Sequence, residues 1–372
     1  MRSPLRVALL VDPLTLKSRG GRHAPALARE LLALGHTVRG FGAPPGVIPR
    51  SDIIGQGIGQ GIGLTGFEPD VLVAYDSLSP TAFQGARVAR STSASLILVE
   101  PGTTREATPL HERLLQGIGE RMWGRYVRAT AAGVIALDPV AQQHAIDDGF
   151  DEGLIHLLST GVDLERWKPC AGGSALRRFG IRGRVVTHVG PLETSHGLEE
   201  LIAAFAATIG QRNDWSLVLA GNGSGRRGLR TTAERLGVAA RIHWLRDMDR
   251  DELPSLLSAS TFYVAPALNN APLIRPVLRA LASGLPVLAS DTDRYRWAVQ
   301  DNESGLVVPM EGKAAWEQAL TRASTSPKAR ERWAIGARQW AESTLDWKSI
   351  ALAFEQMMYE AREKLAAEKA AS

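Results

Sequence analysis

Short runs rich in β-branched residues and leucine recur along this chain, and stretches with helical spacing of apolar residues separate them. In the first half the runs predict strands at Leu5–Val11, Thr37–Phe41, Val71–Ala74, Ser95–Val99, Val134–Leu137 and Ile155–Leu158. Helices are expected between them. The clearest is His23–Leu34, where Leu27, Leu31 and Leu34 fall on one face. The rhythm then restarts, with strands predicted at Val185–Val189, Ser216–Ala220, Ile242–Leu245, Phe262–Ala265, Val287–Ala289 and Leu306–Val308. Alternation of this kind is the mark of parallel α/β layers, and two such series imply two open sheets in tandem.

Length agrees with that division, since 372 residues exceed one ordinary core. A hydrophobic content of 44% and a charged content of 22% are those of a soluble globular protein. No apolar run reaches the roughly 20 residues that a bilayer requires, so no transmembrane segment is expected. The N-terminal apolar run stops at Asp12 and reads as a first strand, not a signal peptide. A single cysteine, Cys170, excludes an internal disulfide and fits a reducing cytoplasm. The net charge of +4 falls wholly beyond residue 170. It forms no basic block and accompanies no nucleic-acid motif, so a nucleic-acid partner is not expected.

Two Rossmann-like domains would place ligands beyond the carboxyl ends of their strands, in a cleft between the domains. Several segments sharpen that expectation. Thr261-Phe-Tyr-Val-Ala-Pro runs from strand to loop, a helix begins near Leu273, and Ala282-Ser-Gly-Leu-Pro leads into the next strand. Ser159-Thr-Gly-Val-Asp-Leu-Glu-Arg-Trp-Lys-Pro reads as a linker, and Asp346-Trp-Lys-Ser-Ile-Ala-Leu-Ala-Phe as a terminal helix. Together these resemble glycosyltransferase family 4, from Val7 to about Tyr359. The resemblance implies a GT-B fold: two facing Rossmann-like domains with an interdomain cleft and a C-terminal helix crossing back to the first. The acceptor-side domain would span residues 1–165 with the returning helix at 346–372, and the donor-side domain 166–345. The tail from Glu360 reads as a frayed helix end.

In that family, two glutamates eight positions apart serve the donor. Here the positions hold Ala271 and Arg279. An arginine and a lysine after the first strand of the second domain grip the diphosphate. In Val189-Gly-Pro-Leu-Glu-Thr-Ser-His-Gly the glycines Gly190 and Gly197 match, but Pro191 and His196 take the basic positions. Proline brings neither charge nor an N–H, and histidine is only partly cationic near neutral pH. Where a glycine-rich turn is usual, this chain has Asp293-Arg-Tyr-Arg-Trp297. In the first domain, Glu100 stands where the family often has a histidine. It reads either as a general base toward an acceptor hydroxyl or as a strand-end acid facing solvent. Gly20, Gly21 and Arg22 resemble a shortened acceptor loop.

Four arginines suggest that the cleft has become an anion site. Arg275 and Arg279 lie four apart on one predicted helix, and Arg294 and Arg296 lie after the next strand. The alternative is that they point outward and pair with Asp291, Asp293 or Asp301. Trp297 reads as a sugar-stacking ring or as packing on its own helix.

Gly223-Ser-Gly-Arg-Arg-Gly228 also fits a dinucleotide fingerprint, with Asp247 near the spacing of a ribose-binding acid. Begun at the strand end, Gly221, the pattern fails at Arg226. Gly55-Gln-Gly-Ile-Gly-Gln-Gly-Ile-Gly63 is a short repeat expected to form a mobile loop. No histidines or cysteines have metal-ligand spacing, so neither a metal nor a cofactor is expected.

The expectation is therefore a divergent hexosyltransferase, retaining if it follows the family, that moves a sugar from a nucleotide-sugar substrate to a glycan or small-molecule acceptor. The alternative is a catalytically silent GT-B protein that binds a glycan, a nucleotide or a protein partner.

Overall fold

A computed structural model of the chain describes residues 3–11, 20–42, 66–102, 117–170, 176–177, 180–193, 196–246, 248, 251–268, 274–310 and 312–371. The Gly55–Gly63 repeat, Asp247, Ala271 and Pro272 lie outside the described residues. The chain divides into two compact units, Met1–Gly161 with Trp347–Ser372, and Val162–Asp346.

The first unit is built on six parallel strands: β1 (Arg6–Leu10), β2 (Thr37–Phe41), β3 (Val71–Tyr75), β4 (Ser95–Glu100), β5 (Ala131–Ala136) and β6 (Ile155–Leu157). They lie side by side in the order β2-β1-β3-β4-β5-β6. Register pairs Val7 with Val38 on one side and with Val71 on the other. Because successive side chains alternate across a strand, Val7 and Leu9 enter one core while Ala8 and Leu10 enter the other. Helix α1 (Gly20–Ala33) supplies Leu27 and Leu31 to the first of these cores. Leu34 falls past the helix end and is 38% exposed, a correction to the expected three-leucine face. The sheet is followed after β3 by α2 (Pro80–Ser91), whose N-cap Ser79 accepts from the Ala82 amide.

The last helix belongs to this same unit. It runs unbroken from Trp347 to Ala371, so the expected fraying after Glu360 is corrected. Trp347, Ile350, Phe354, Met357 and Met358 bury themselves in the core shared with α1. Each such side chain contributes ~1.5–3 kcal/mol when fully buried. Polar contacts fix the register: Tyr359 donates to the Ser3 carbonyl at 2.7 Å, and Arg362 pairs with Asp70 at 3.2 Å. Near its end, Lys369 reaches Ser93 Oγ at 3.0 Å.

The second unit repeats the plan with β7 (Arg184–Val189), β8 (Trp215–Ala220), β9 (Ile242–Leu245), β10 (Phe262–Ala265), β11 (Val287–Ser290) and β12 (Gly305–Val308). Their order is β12-β11-β10-β7-β8-β9, again parallel. Phe262 and Val264 face one core, and Tyr263 and Ala265 the other. Arg338 ties the segment after the linker to this unit. Its guanidinium donates to the carbonyls of Leu164, Trp167 and Ala282 at 3.3, 2.8 and 2.6 Å.

Every expected strand is present, most within one residue of its expected ends; β5 begins three residues before Val134. Among the described residues, no helix is long and apolar enough to cross a membrane.

Candidate functional site

Parallel sheets gather chemistry at the carboxyl ends of their strands, and in the second unit two turns meet there. Gly190 follows β7, and its amide donates to the Ala220 carbonyl at 3.0 Å. Gly221 follows β8 with φ at +150°, and a Cβ there would lie 1.9 Å from the Gly190 carbonyl oxygen. A Cβ on Gly223 would lie 2.3 Å from the Leu192 carbonyl oxygen. Leu192 binds both flanks of that second turn, donating to Asn222 and accepting from Gly225, each at 2.9 Å. Gly221 and Gly223 thus let two turns interlock, so the local packing accounts for them without a dinucleotide.

The β7 turn continues through Pro191 to Glu193, which accepts from the Ser224 amide at 3.0 Å and from its hydroxyl. These bonds hold the exposed Glu193 carboxyl below its usual range. His196 follows, and Gly197, with φ at +67°, begins helix α4 (Leu198–Ala207). Partial burial holds the His196 imidazole below its ordinary range, only partly opposed by Glu193. At neutral pH it is therefore an uncharged ring.

Beside it stands a residue that the sequence reading passed over as an ordinary strand position. His188, on β7, is 6% exposed, and its Nδ1 lies 3.1 Å from the Val264 carbonyl. Burial is the main cause that pushes its pKa down to about 4; the carbonyl opposes the shift and His196 adds to it. The ring stacks on Tyr263 with centroids 6.2 Å apart. Tyr263 in turn donates to the Val189 carbonyl at 3.0 Å. A polar residue amid Val185, Val186 and Val189 was the available signal.

Ala267, just beyond β10, is held by its amide, which donates to the buried Ser290 Oγ at 2.9 Å. Helix α7 (Ile274–Ala282) starts beyond the undescribed Ala271 and Pro272. It carries Arg275 and Arg279, but the four arginines have different surroundings. The Arg279 guanidinium lies over the Trp167 ring, 4.7 Å from its centroid. Arg294 is 1% exposed. Arg296 is exposed and pairs with Asp291 at 2.5 Å and Asp293 at 3.8 Å, so for this residue the outward ion pair holds. Arg294 and Arg296 part company because short helix α8 (Asp293–Ala298), capped by Thr292, turns one inward and leaves the other exposed. Trp297 packs edge-on against Trp340, with centroids 5.5 Å apart.

In the first unit the carboxyl ends of β3 and β4 bring Asp76, Ser77 and Glu100 together. Asp76 adopts a left-handed φ of +61°, rare for a residue with a side chain. That bend directs the Ser77 amide to Glu100 Oε1 at 3.0 Å. Burial pushes the Glu100 carboxyl up to about 7 and Asp76 adds to the shift, against hydrogen bonds from Ser77. A carboxyl titrating near neutrality can take or give a proton at physiological pH.

Gly20, Gly21 and Arg22 form the first turn of α1 and not an open loop. The next residue, His23, is fully buried, with Nδ1 2.9 Å from the Tyr75 hydroxyl and its ring 5.3 Å from that of Trp347. Burial pushes the Tyr75 pKa well above the ordinary phenol value, so its hydroxyl stays protonated. Among the described residues, no group of three or more histidine, cysteine or acidic side chains is placed to hold a metal.

Comparison with known proteins completes this picture. Residues 179–340, inside the second unit, match the family model described as glycosyl transferases group 1. D-inositol 3-phosphate glycosyltransferase of Salinispora arenicola (strain CNS-205) is 32% identical over 209 residues, covering 51% of this chain and 46% of that protein. The glycogen synthase of Mycobacterium tuberculosis is 27% identical over 219 residues, covering 58% and 51%. The chain spans about half the length of the curated relatives it matches. Among solved structures, a glycosyltransferase from Rickettsia africae ESF-5 has a TM-score of 0.79 at 12% identity, over 97% of this chain and 99% of that one. Anabaena HepE, solved in complex with UDP and glucose, has a TM-score of 0.74 at 17% identity, over 95% and 99%. The chain therefore has the GT-B fold, and its segment 179–340 matches the model of the group 1 glycosyl transferases.

Proposed function

We propose that this chain is a glycosyltransferase that takes a sugar from a nucleotide-sugar donor and passes it to an acceptor hydroxyl. The observation that carries this reading is the group 1 match within the second unit, across the interlocked turns after β7 and β8. The donor would sit at those turns and at the start of α7. The GT-B likeness to a protein solved with UDP and glucose supports a uridine nucleotide as the first donor to test. In the transfer, the acceptor oxygen bonds to the anomeric carbon as the bond to the phosphate oxygen breaks. The diphosphate leaves with the electron pair, and the acceptor's proton goes to a base. Glu100 is the candidate within the first unit, where burial raises its pKa to about 7 and lets its carboxylate accept a proton near neutrality.

A panel of nucleotide sugars tests this directly, with release of nucleoside diphosphate as the readout. Since several of the curated relatives are named for D-inositol 3-phosphate, that compound heads the acceptor panel. Acceptor-dependent release from the wild type, lost in Glu100→Gln, is the expected result. A flat panel in both thermal shift and turnover would leave a silent GT-B binding protein.

A further inference from the structure

His188 Nδ1 faces the Val264 carbonyl oxygen at 3.1 Å. A carbonyl can only accept, so Nδ1 must carry the ring proton, and in the neutral ring Nε2 is then a bare acceptor. Burial keeps the ring neutral down to about pH 4. Nε2 is itself buried, and among the described residues no hydrogen-bond partner stands within reach of it. An acceptor left unmet in such a place bears the cost of its lost hydration. The position is specific as well. A Cβ on Gly190 would lie 3.2 Å from Nε2, so the ring stands directly beneath the glycine of the donor-side turn. The same turn carries His196, whose Nδ1 is also buried without a partner among the described residues, and leads into α4.

Three kinds of ligand atom can be set against this nitrogen. A phosphate oxygen is an acceptor, and two lone pairs would face each other. A metal ion suits an imidazole oriented by a carbonyl, but among the described residues no third ligand joins the two histidines. Glu193, which interacts with His196, is bonded to Ser224. A hydroxyl group meets the need, because it donates one hydrogen bond and requires no charge.

Resting on the donor reading above, we infer that His188 Nε2 receives a hydroxyl of the nucleotide sugar, on either its ribose or its hexose. The site recognises the donor through a proton acceptor within β7. In the related family that work falls to carboxylates at the positions of Ala271 and Arg279. His188 is therefore a specificity-determining residue.

Nitrogen NMR of protein labelled at histidine, run beside calorimetry, tests the inference in the full chain at pH 7. The expected spectrum shows His188 Nε2 as an unprotonated nitrogen that shifts when UDP-glucose is added and stays put with inorganic phosphate. A shift with UDP alone assigns the hydroxyl to the ribose, and a shift only with UDP-glucose assigns it to the hexose. His188→Phe keeps a ring against Tyr263 and is expected to weaken UDP-glucose binding about tenfold. If that variant does not fold, the wild-type spectra decide. A proton on Nε2 in the free protein overturns the inference. Nucleotide binding seen by calorimetry with no movement of Nε2 overturns it too, and leaves the donor reading intact. Absence of heat with both nucleotides overturns both.

Discussion

Gly161 lies against Trp347: a Cβ added to the glycine would sit 2.5 Å from the indole ring. The two residues occupy the ends of the two connections that leave the first unit. Trp347 is 9% exposed and touches His23, so the ring has little room to yield. Gly161→Ala is expected to destabilise the protein by ~1–3 kcal/mol, as overpacking does in other cores. Urea denaturation measures it, and an unchanged midpoint would show that the ring moves freely.

Arg338 predicts a second loss. Its guanidinium serves three carbonyls from two segments, and alanine would leave them without that donor. We expect Arg338→Ala to cost ~2–3 kcal/mol, with Arg338→Lys intermediate because the shorter ammonium reaches fewer of the carbonyls that Nη1 serves and gives up the Nε bond to Glu342. Denaturant midpoints of the two variants against wild type provide the check, and equal loss in both would contradict the geometric argument.

The pH dependence of stability should carry opposite signatures from two groups. Glu100 is raised to about 7 from 4.5, so the folded state holds its proton longer than the unfolded one. Its contribution is present below pH 4.5 and is lost as pH rises through 7. His188 is lowered to about 4 from 6.5, so its contribution is present above pH 6.5 and is lost as pH falls toward 4. Melting curves from pH 4 to 8 should show Glu100→Gln flattening the alkaline side and His188→Phe flattening the acid side. If each variant keeps the wild-type slope, the assigned groups are wrong.

Donor affinity follows from what the β7 turn lacks. Pro191 offers no cation, and His196 is uncharged at neutral pH. Common nucleotide sugars should bind in the high micromolar range or more weakly. Pro191→Arg with His196→Lys should tighten binding and make it more sensitive to salt. Calorimetry at two ionic strengths checks this, and a low-micromolar wild type would contradict it.

The strands could be read from the chain because each is a compact apolar run: Leu72 to Tyr75 and Leu217 to Ala220 are buried almost without interruption. Helix ends were harder. Leu34 keeps the spacing of Leu27 and Leu31, yet Gly35 with φ at +93° has already ended α1. The sites were less legible still, since their geometry joins distant residues. Asp76 and Ser77 meet Glu100 only because β3 and β4 are neighbours, and the bend at Asp76 has no signature in its own sequence. His188 looked like one more strand residue until Val264 fixed its proton. The arginines misled for a local reason: Arg294 and Arg296 are two apart on a short helix, a spacing that sends one inward and the other to Asp291.

The terminal helix gives the protein an order of assembly. During synthesis the second unit leaves the ribosome as one continuous stretch, Val162–Asp346, and has all of its own strands at hand. The first unit's strands are made earlier, but Phe354 and Met358 of its core arrive only after the whole of the second unit has been made. Translation thus completes the first unit only after the second, and until then the apolar face that receives Trp347 stays open to chaperones and to other nascent chains.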